Sequence, residues 1–216
     1  MDIFVTSLTR SGSSLLSNIL SNHTKISAFQ DPFFEIYKFF YCKLSKLKNI
    51  QDYYFSKKKQ KIFKLIEKKG FDFIPMSKKD CNYLNKRIIK KSYNAKEIHG
   101  LVNDFKGENI KKYLLSAIEL IKSNHKKKIL CTKEAWFSEL TPHLFKVNPK
   151  IKIIFLFRDP RAIICSELMY TAKFRKNKND PIFKIYNLAK HWRKHVCLFF
   201  KYKNTPAFKK NIFFLR

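Results

Sequence analysis

Ile3-Phe4-Val5-Thr6-Ser7-Leu8-Thr9-Arg10-Ser11-Gly12-Ser13-Ser14-Leu15-Leu16 decides the reading of this chain. A short β-prone apolar run passes into a Ser/Thr/Gly cluster, and Leu15, Leu16, Ile19 and Leu20 then follow at helical spacing. The stretch predicts strand, loop and helix, with the four apolar residues on one helical face. In that order the backbone N–H groups of the loop and the helix N-terminus can surround an anion. On the pattern G-x-x-x-x-G-K-[ST], Ser7 replaces the first Gly, Gly12 is kept, Ser13 stands at the Lys and Ser14 matches the hydroxyl. Arg10 supplies charge from the loop instead, and Ser11, Ser13 and Ser14 add hydroxyl donors. The same residues also suit an ordinary Ser-rich turn with a good N-cap.

Beyond this unit, a second short strand is expected over Ile26 to Phe29. Asp31-Pro32 then reads as an N-cap and first-turn proline opening a helix through Tyr41. From about Lys43 to Lys128 the pattern is helical and Lys-rich, without a chemical motif, and reads as an insert or lid. Strands return at Ile129 to Cys131 and at Ile151 to Phe157, the latter a nearly continuous apolar run suited to the centre of a parallel sheet. Asp159-Pro160 opens another helix, Pro181 to about Lys201 a long one, and Asn211 to Leu215 a last strand. Strands alternating with helices predict an α/β fold: a P-loop-like, three-layer arrangement with a mostly parallel central sheet and a helical insert, in a single domain over 1–216. No internal repeat is present.

The strand ending in Phe155-Leu156-Phe157 carries a second anchor, Arg158-Asp159-Pro160-Arg161-Ala162, followed by Ser166 under two turns into the helix. Arg158 at a strand's carboxyl end and Ser166 can converge on one phosphate, with Arg161 as a third donor. Alternatively Arg158 pairs with Asp159 or another carboxylate, and Ser166 is an exposed helical serine.

Together the two segments resemble the sulfotransferases that use 3′-phosphoadenosine-5′-phosphosulfate (PAPS), particularly the carbohydrate branch. Arg10-Ser11-Gly12-Ser13-Ser14-Leu15-Leu16 is similar to that family's 5′-phosphosulfate loop, and Arg158-Asp159-Pro160-Arg161-Ala162 with Ser166 to its 3′-phosphate segment. The resemblance implies that Arg10 and Ser11 to Ser14 hold the 5′-phosphosulfate and that Arg158 and Ser166 hold the 3′-phosphate. Phe29-Gln30-Asp31-Pro32-Phe33 resembles the Glu-Pro segment of carbohydrate sulfotransferases, where the carboxylate is the base; here it is Asp31, with Glu35 one turn on as the substitute and helix capping as the competing role. Thr132-Lys133-Glu134 follows a short strand, a place where related enzymes often carry a Lys facing the active site, although a solvated Lys is the expectation in so basic a chain. Ala189-Lys190-His191-Trp192-Arg193 resembles a late family helix. The resemblance covers about the first 40 residues and Ile129 to Arg216. Relatives continue past the last strand, so the sequence reads as a fragment or a shortened member.

Composition limits the rivals. With 46 Lys+Arg against 16 Asp+Glu, the formal net charge is +30, a field that attracts anions. The lysines are spread in runs such as Lys57-Lys58-Lys59 and Lys126-Lys127-Lys128, a pattern of solvated helix faces rather than a basic arm. No nucleic-acid-binding signature accompanies them, so dedicated nucleic-acid binding is not expected. Cys42, Cys81, Cys131, Cys165 and Cys197 lack paired spacing and read as reduced, mostly buried thiols. His191 and His195, four apart, lack an acidic third ligand. No stretch approaches a membrane span, and the expectation is a cytoplasmic protein.

The sequence therefore predicts in-line transfer of a sulfuryl group from PAPS to a hydroxyl or amine of an acceptor, with no metal required. Asp31 or Glu35 is the base, and Arg10 stabilises the departing phosphate. A sugar-containing or acidic acceptor is favoured, with a tyrosyl peptide or small metabolite as alternatives. The rival readings are a P-loop kinase, against which the missing Lys argues, and a non-catalytic polyanion binder.

Overall fold

The computed structural model describes residues 2–45, 66, 69–91, 93–125, 127–174 and 181–216. Five parallel strands form one sheet: β1 Ile3–Ser7, β2 Ile26–Gln30, β3 Ile129–Ala135, β4 Lys152–Leu156 and β5 Ile212–Leu215, in the spatial order β2-β3-β1-β4-β5. The helices are α1 Ser13–Ser21, α2 Phe34–Ser45, α3 Lys78–Lys91, α4 Ile110–Asn124, α5 Thr141–Val147, α6 Pro160–Phe174 and α7 Pro181–Lys203, with short 3-10 turns between them. The α/β class and the parallel sheet are as the sequence predicts.

Period-two alternation divides the sheet into two faces. Val5, Ile26 and Cys131 are buried on one, packed by Leu16 and Leu20 of α1. Phe4, Phe29, Leu130, Ile153 and Phe155 face the other side, inside a large aromatic core with Tyr37, Phe40, Phe71, Tyr113 and Phe137. Removing each such ring from water is worth roughly 1.5–3 kcal/mol, so this face carries most of the stability. The described part of the Lys-rich middle joins this core through Leu84 and Ile88 of α3 and Tyr113, Leu114, Ala117 and Ile121 of α4. Lys78, Lys79, Lys86 and Lys90 of α3 and Lys112 of α4 face outward, as amphipathic helices require. The run Lys57-Lys58-Lys59 and Lys126 lie outside the described residues.

Several local expectations need correction. On α1, Leu16 and Leu20 pack on the sheet, whereas Leu15 and Ile19 are 66% and 59% exposed; the buried face carries Ser13 and Ser17 instead. Helix α2 begins at Phe34, after Pro32, and Asp31 does not cap it. Asp31 adopts φ 53° and sends its carboxylate to β3, while Glu134 Oε1 accepts the Phe33 N–H at 2.7 Å. None of the five cysteines is in a disulfide, but Cys165 and Cys197 are exposed and Cys42 is half-buried. By contrast Asp159 caps α6 as expected, its Oδ1 accepting the Arg161 N–H at 2.8 Å. Among the described residues, no helix is long and apolar enough to cross a membrane.

Candidate active site

The strand order fixes where a ligand can sit. The chain leaves β1 toward β2 on one side and leaves β4 toward β5 on the other, so the crevice opens outside the carboxyl ends of β1 and β4. A cavity of about 480 Å³ lies there. It is lined by Thr9, Arg10 and Gly12 of the β1 loop, Ser13 and Ser14 of α1, and Arg158 and Ser166 after β4. Asp31 and Phe34 after β2, and Lys133, Ala135 and Trp136 at the end of β3, complete the wall.

The two anchors, about 150 positions apart in sequence, meet directly. Arg158 Nη1 donates to the Arg10 carbonyl at 2.8 Å, and Arg10 Nε donates to Ser166 Oγ at 3.1 Å. The Arg10 guanidinium also lies 4.7 Å from the centre of the Tyr170 ring. Asp159 is engaged by Arg161 at 2.6 Å and held to about 2 by that guanidinium. It therefore does not compete for Arg158. Arg161 points to solvent, its side chain 88% exposed, and is not among the cavity-lining residues as a third donor. Trp192 Nε1 donates to the Arg158 carbonyl at 3.0 Å and steadies the loop.

Helix α1 presents an open positive end. Gly12 caps it at φ 87°, with no side-chain cap bond and no acidic residue in the first turn. An L side chain at this φ is strained, although a Cβ there would meet no atom within 4 Å. Ser14 is exposed toward the cavity and Ser13 is buried at its edge. Ser11 is buried behind the loop, off the cavity wall, and its hydroxyl has no partner.

The far wall was only half read from the sequence. Lys133 is not a solvated lysine: its side chain is 8% exposed, and Nζ meets Asp31 Oδ2 at 2.9 Å. Asp31 Oδ1 also accepts the Ala135 N–H at 3.3 Å, and the Asp31 N–H donates to the Lys133 carbonyl at 2.7 Å. Glu35 lies outside the cavity lining, bound to Arg87 at 2.8 Å and to Lys38 at 3.3 Å. Of the two carboxylates singled out in sequence, Asp31 alone lines the cavity. Among the described residues the left-handed φ values are those of Arg10 at 61°, Gly12 at 87°, Asp31 at 53° and Trp136 at 77°, and all four line this one cavity. Three of them are not glycine, and backbone strain gathered in one place points to function.

His191 and His195 do not form a metal pair. The His195 ring packs on Phe155 and Phe157, its Nδ1 bonds Ser138, and burial pushes it down to about 3, so it stays neutral. His191 packs edge-on against Trp136. No cluster of metal-ligating side chains occurs among the described residues.

A model of the sulfotransferase family matches residues 2–215. The chain belongs to the sulfotransferase family. Sulfuryl transfer is thus its chemistry, and the P-loop-like parallel sheet is the scaffold on which this sulfotransferase holds its donor and acceptor substrates. A comparison with curated proteins finds no match to this sulfotransferase.

Proposed function

We propose that this sulfotransferase moves a sulfuryl group from PAPS to a hydroxyl (or amine) of an acceptor, with a carbohydrate or glycolipid as the acceptor class. The observation that carries the reading is the contact of the two anchors: Arg10, Arg158 and Ser166 share hydrogen bonds at the switch point of the sheet, beside the open N-terminus of α1. Two phosphate groups of one nucleotide need two such cationic nests side by side.

In this reading the first turn of α1, Ser14 and Arg10 hold the 5′-phosphosulfate, and Arg158 with the Ser166 hydroxyl holds the 3′-phosphate. The acceptor oxygen attacks sulfur in line as the bond from sulfur to the bridging phosphate oxygen breaks. The acceptor's proton passes to the Asp31 carboxylate, and 3′-phosphoadenosine-5′-phosphate departs with the electron pair. Lys133, already beside Asp31, keeps that carboxylate aimed into the cavity and adds positive charge near the transferring group. Positioning and fixed charge supply the catalysis. Five cysteines outside any disulfide suit a reducing compartment, the cytoplasm.

Calorimetric titration of the product nucleotide 3′-phosphoadenosine-5′-phosphate tests this, with AMP as control. Binding is expected to require the 3′-phosphate and to weaken by about 10- to 100-fold in Arg158→Ala, the loss of a charge-assisted contact. A preference for ATP–Mg²⁺ would instead make the chain a kinase, and tight nucleic-acid binding without nucleotide binding a polyanion binder.

A further inference from the structure

Three of the four left-handed residues around the cavity, Arg10, Gly12 and Asp31, have parts in the proposed reaction; Trp136 has none. Yet its conformation is the most demanding, because a bulky side chain at φ 77° is a backbone outlier. Alternation along β3 would send position 136 to the face of Thr132 and Glu134, which are buried. The left-handed turn instead sets Trp136 on the cavity wall with Lys133 and Ala135. Three contacts hold the turn. The Trp136 N–H donates to the Ser7 carbonyl at 2.9 Å, the Lys194 ammonium reaches the Trp136 carbonyl at 3.5 Å, and the His191 ring meets the indole edge-on at 4.9 Å and 85°.

The cavity has two chemically different halves. The β1/β4 half is cationic, and the β2/β3 half combines Asp31 and Lys133 with the aromatic rings of Phe34 and Trp136. We propose that Trp136 is the acceptor platform, taking the apolar C–H face of a pyranose ring whose hydroxyl is directed at Asp31. The assignment rests on the reading of Asp31 as the base. A sugar has one flat apolar face and a rim of hydroxyls, which matches an indole bordered by a carboxylate that accepts and an ammonium that donates. A phenol would use the ring but needs a single polar partner, leaving half of the Asp31–Lys133 pair without a task.

Trp136→Tyr and Trp136→Leu in the full chain test this, with a panel of β-linked disaccharides and a tyrosyl peptide as acceptor probes and PAPS as donor. Product-nucleotide affinity is expected to stay within about twofold in both variants, while the disaccharide KM rises in the order Trp, Tyr, Leu by roughly two- to tenfold and kcat changes less. Nucleotide binding with an unmoved disaccharide KM in Trp136→Leu overturns the platform alone, as does sulfation of the tyrosyl peptide and of no saccharide. Loss of nucleotide binding in both variants makes Trp136 structural and also overturns it. A wild-type chain that does not bind the nucleotide overturns the donor reading, and this inference with it.

Discussion

Glu134 provides the sharpest physical test of the site's architecture. It is 0% exposed; Oε1 accepts the Phe33 N–H at 2.7 Å, and Oε2 is buried with no partner. Burial pushes its carboxyl well above the ordinary 4.5, the Asp31 charge pushes the same way, and the Phe33 N–H and Lys133 oppose. A raised acid means that the folded chain keeps a proton which the unfolded chain releases above that value. The stability linked to this proton is fully present below pH 4.5 and is lost as pH rises toward the folded carboxyl's own titration. The slope is at most about 1.4 kcal/mol per pH unit, reached while the folded carboxyl keeps its proton and the unfolded one has lost it. Glu134→Gln keeps the oxygen that serves Phe33 and cannot ionise. Its amide nitrogen falls where Oε2 has no partner, an offset of about 1–3 kcal/mol that does not vary with pH. Urea unfolding of both proteins at about pH 5, 6 and 7, followed by tryptophan fluorescence, should show the variant gaining on wild type by up to about 1.4 kcal/mol per unit. A difference that stays flat across this range would refute the reasoning, because Glu134 would then be ionised in the folded chain beside Asp31.

Other outcomes follow from the same geometry. Asp31→Asn should lower kcat by about 10²- to 10⁴-fold while product-nucleotide affinity, measured calorimetrically, changes little, since Asp31 lies on the β2/β3 side of the cavity. Gly12→Ala should cost about 1–2 kcal/mol in urea unfolding through its φ of 87°, with no steric part because a Cβ there meets nothing within 4 Å. Arg161→Ala should leave nucleotide affinity within about twofold, because this guanidinium is exposed and engaged by Asp159; a tenfold loss in calorimetry would place it at the donor after all.

How much of this was legible in the sequence depends on whether the signal was local. The β1 loop and the β4 segment each combine a strand end, a cap and a cation within a dozen residues, and their order alone predicts that they meet. The side chains on β3 depend on pairing partners far away. Lys133 looks like one more lysine in a basic chain until parallel register with β1 and β2 extends β3 through Ala135 and sets Asp31 against it. The available signal was the alternation Cys131, Lys133, Ala135 against Thr132, Glu134, which continues the strand past the apolar run. For Asp31 and Glu35, helical phase decides. Since α2 starts only at Phe34, Glu35 turns to Arg87 on α3, a partner 52 residues away that no local pattern announces. The turn at Trp136 was invisible because nothing in the sequence marks a left-handed tryptophan.

The missing P-loop lysine acquires a physical explanation from the assembled site. A lysine at position 13 would emerge from the first turn of α1, but that position is occupied by a buried serine, and positive charge reaches the cavity from three other places. Arg10 provides one share, its left-handed backbone projecting the side chain across to Ser166 and Tyr170. Arg158 provides the second from the neighbouring strand, kept free of Asp159 by Arg161. Lys133 provides the third from the opposite side, already balanced by Asp31. A P-loop kinase concentrates charge on the β- and γ-phosphates and adds a divalent cation. Here the cations are spaced along the crevice, one pair by the helix end and one next to a carboxylate. Such spacing suits the proposed donor, whose two anionic groups would lie along the β1/β4 side, with the acceptor hydroxyl approaching from the β2/β3 side next to Asp31.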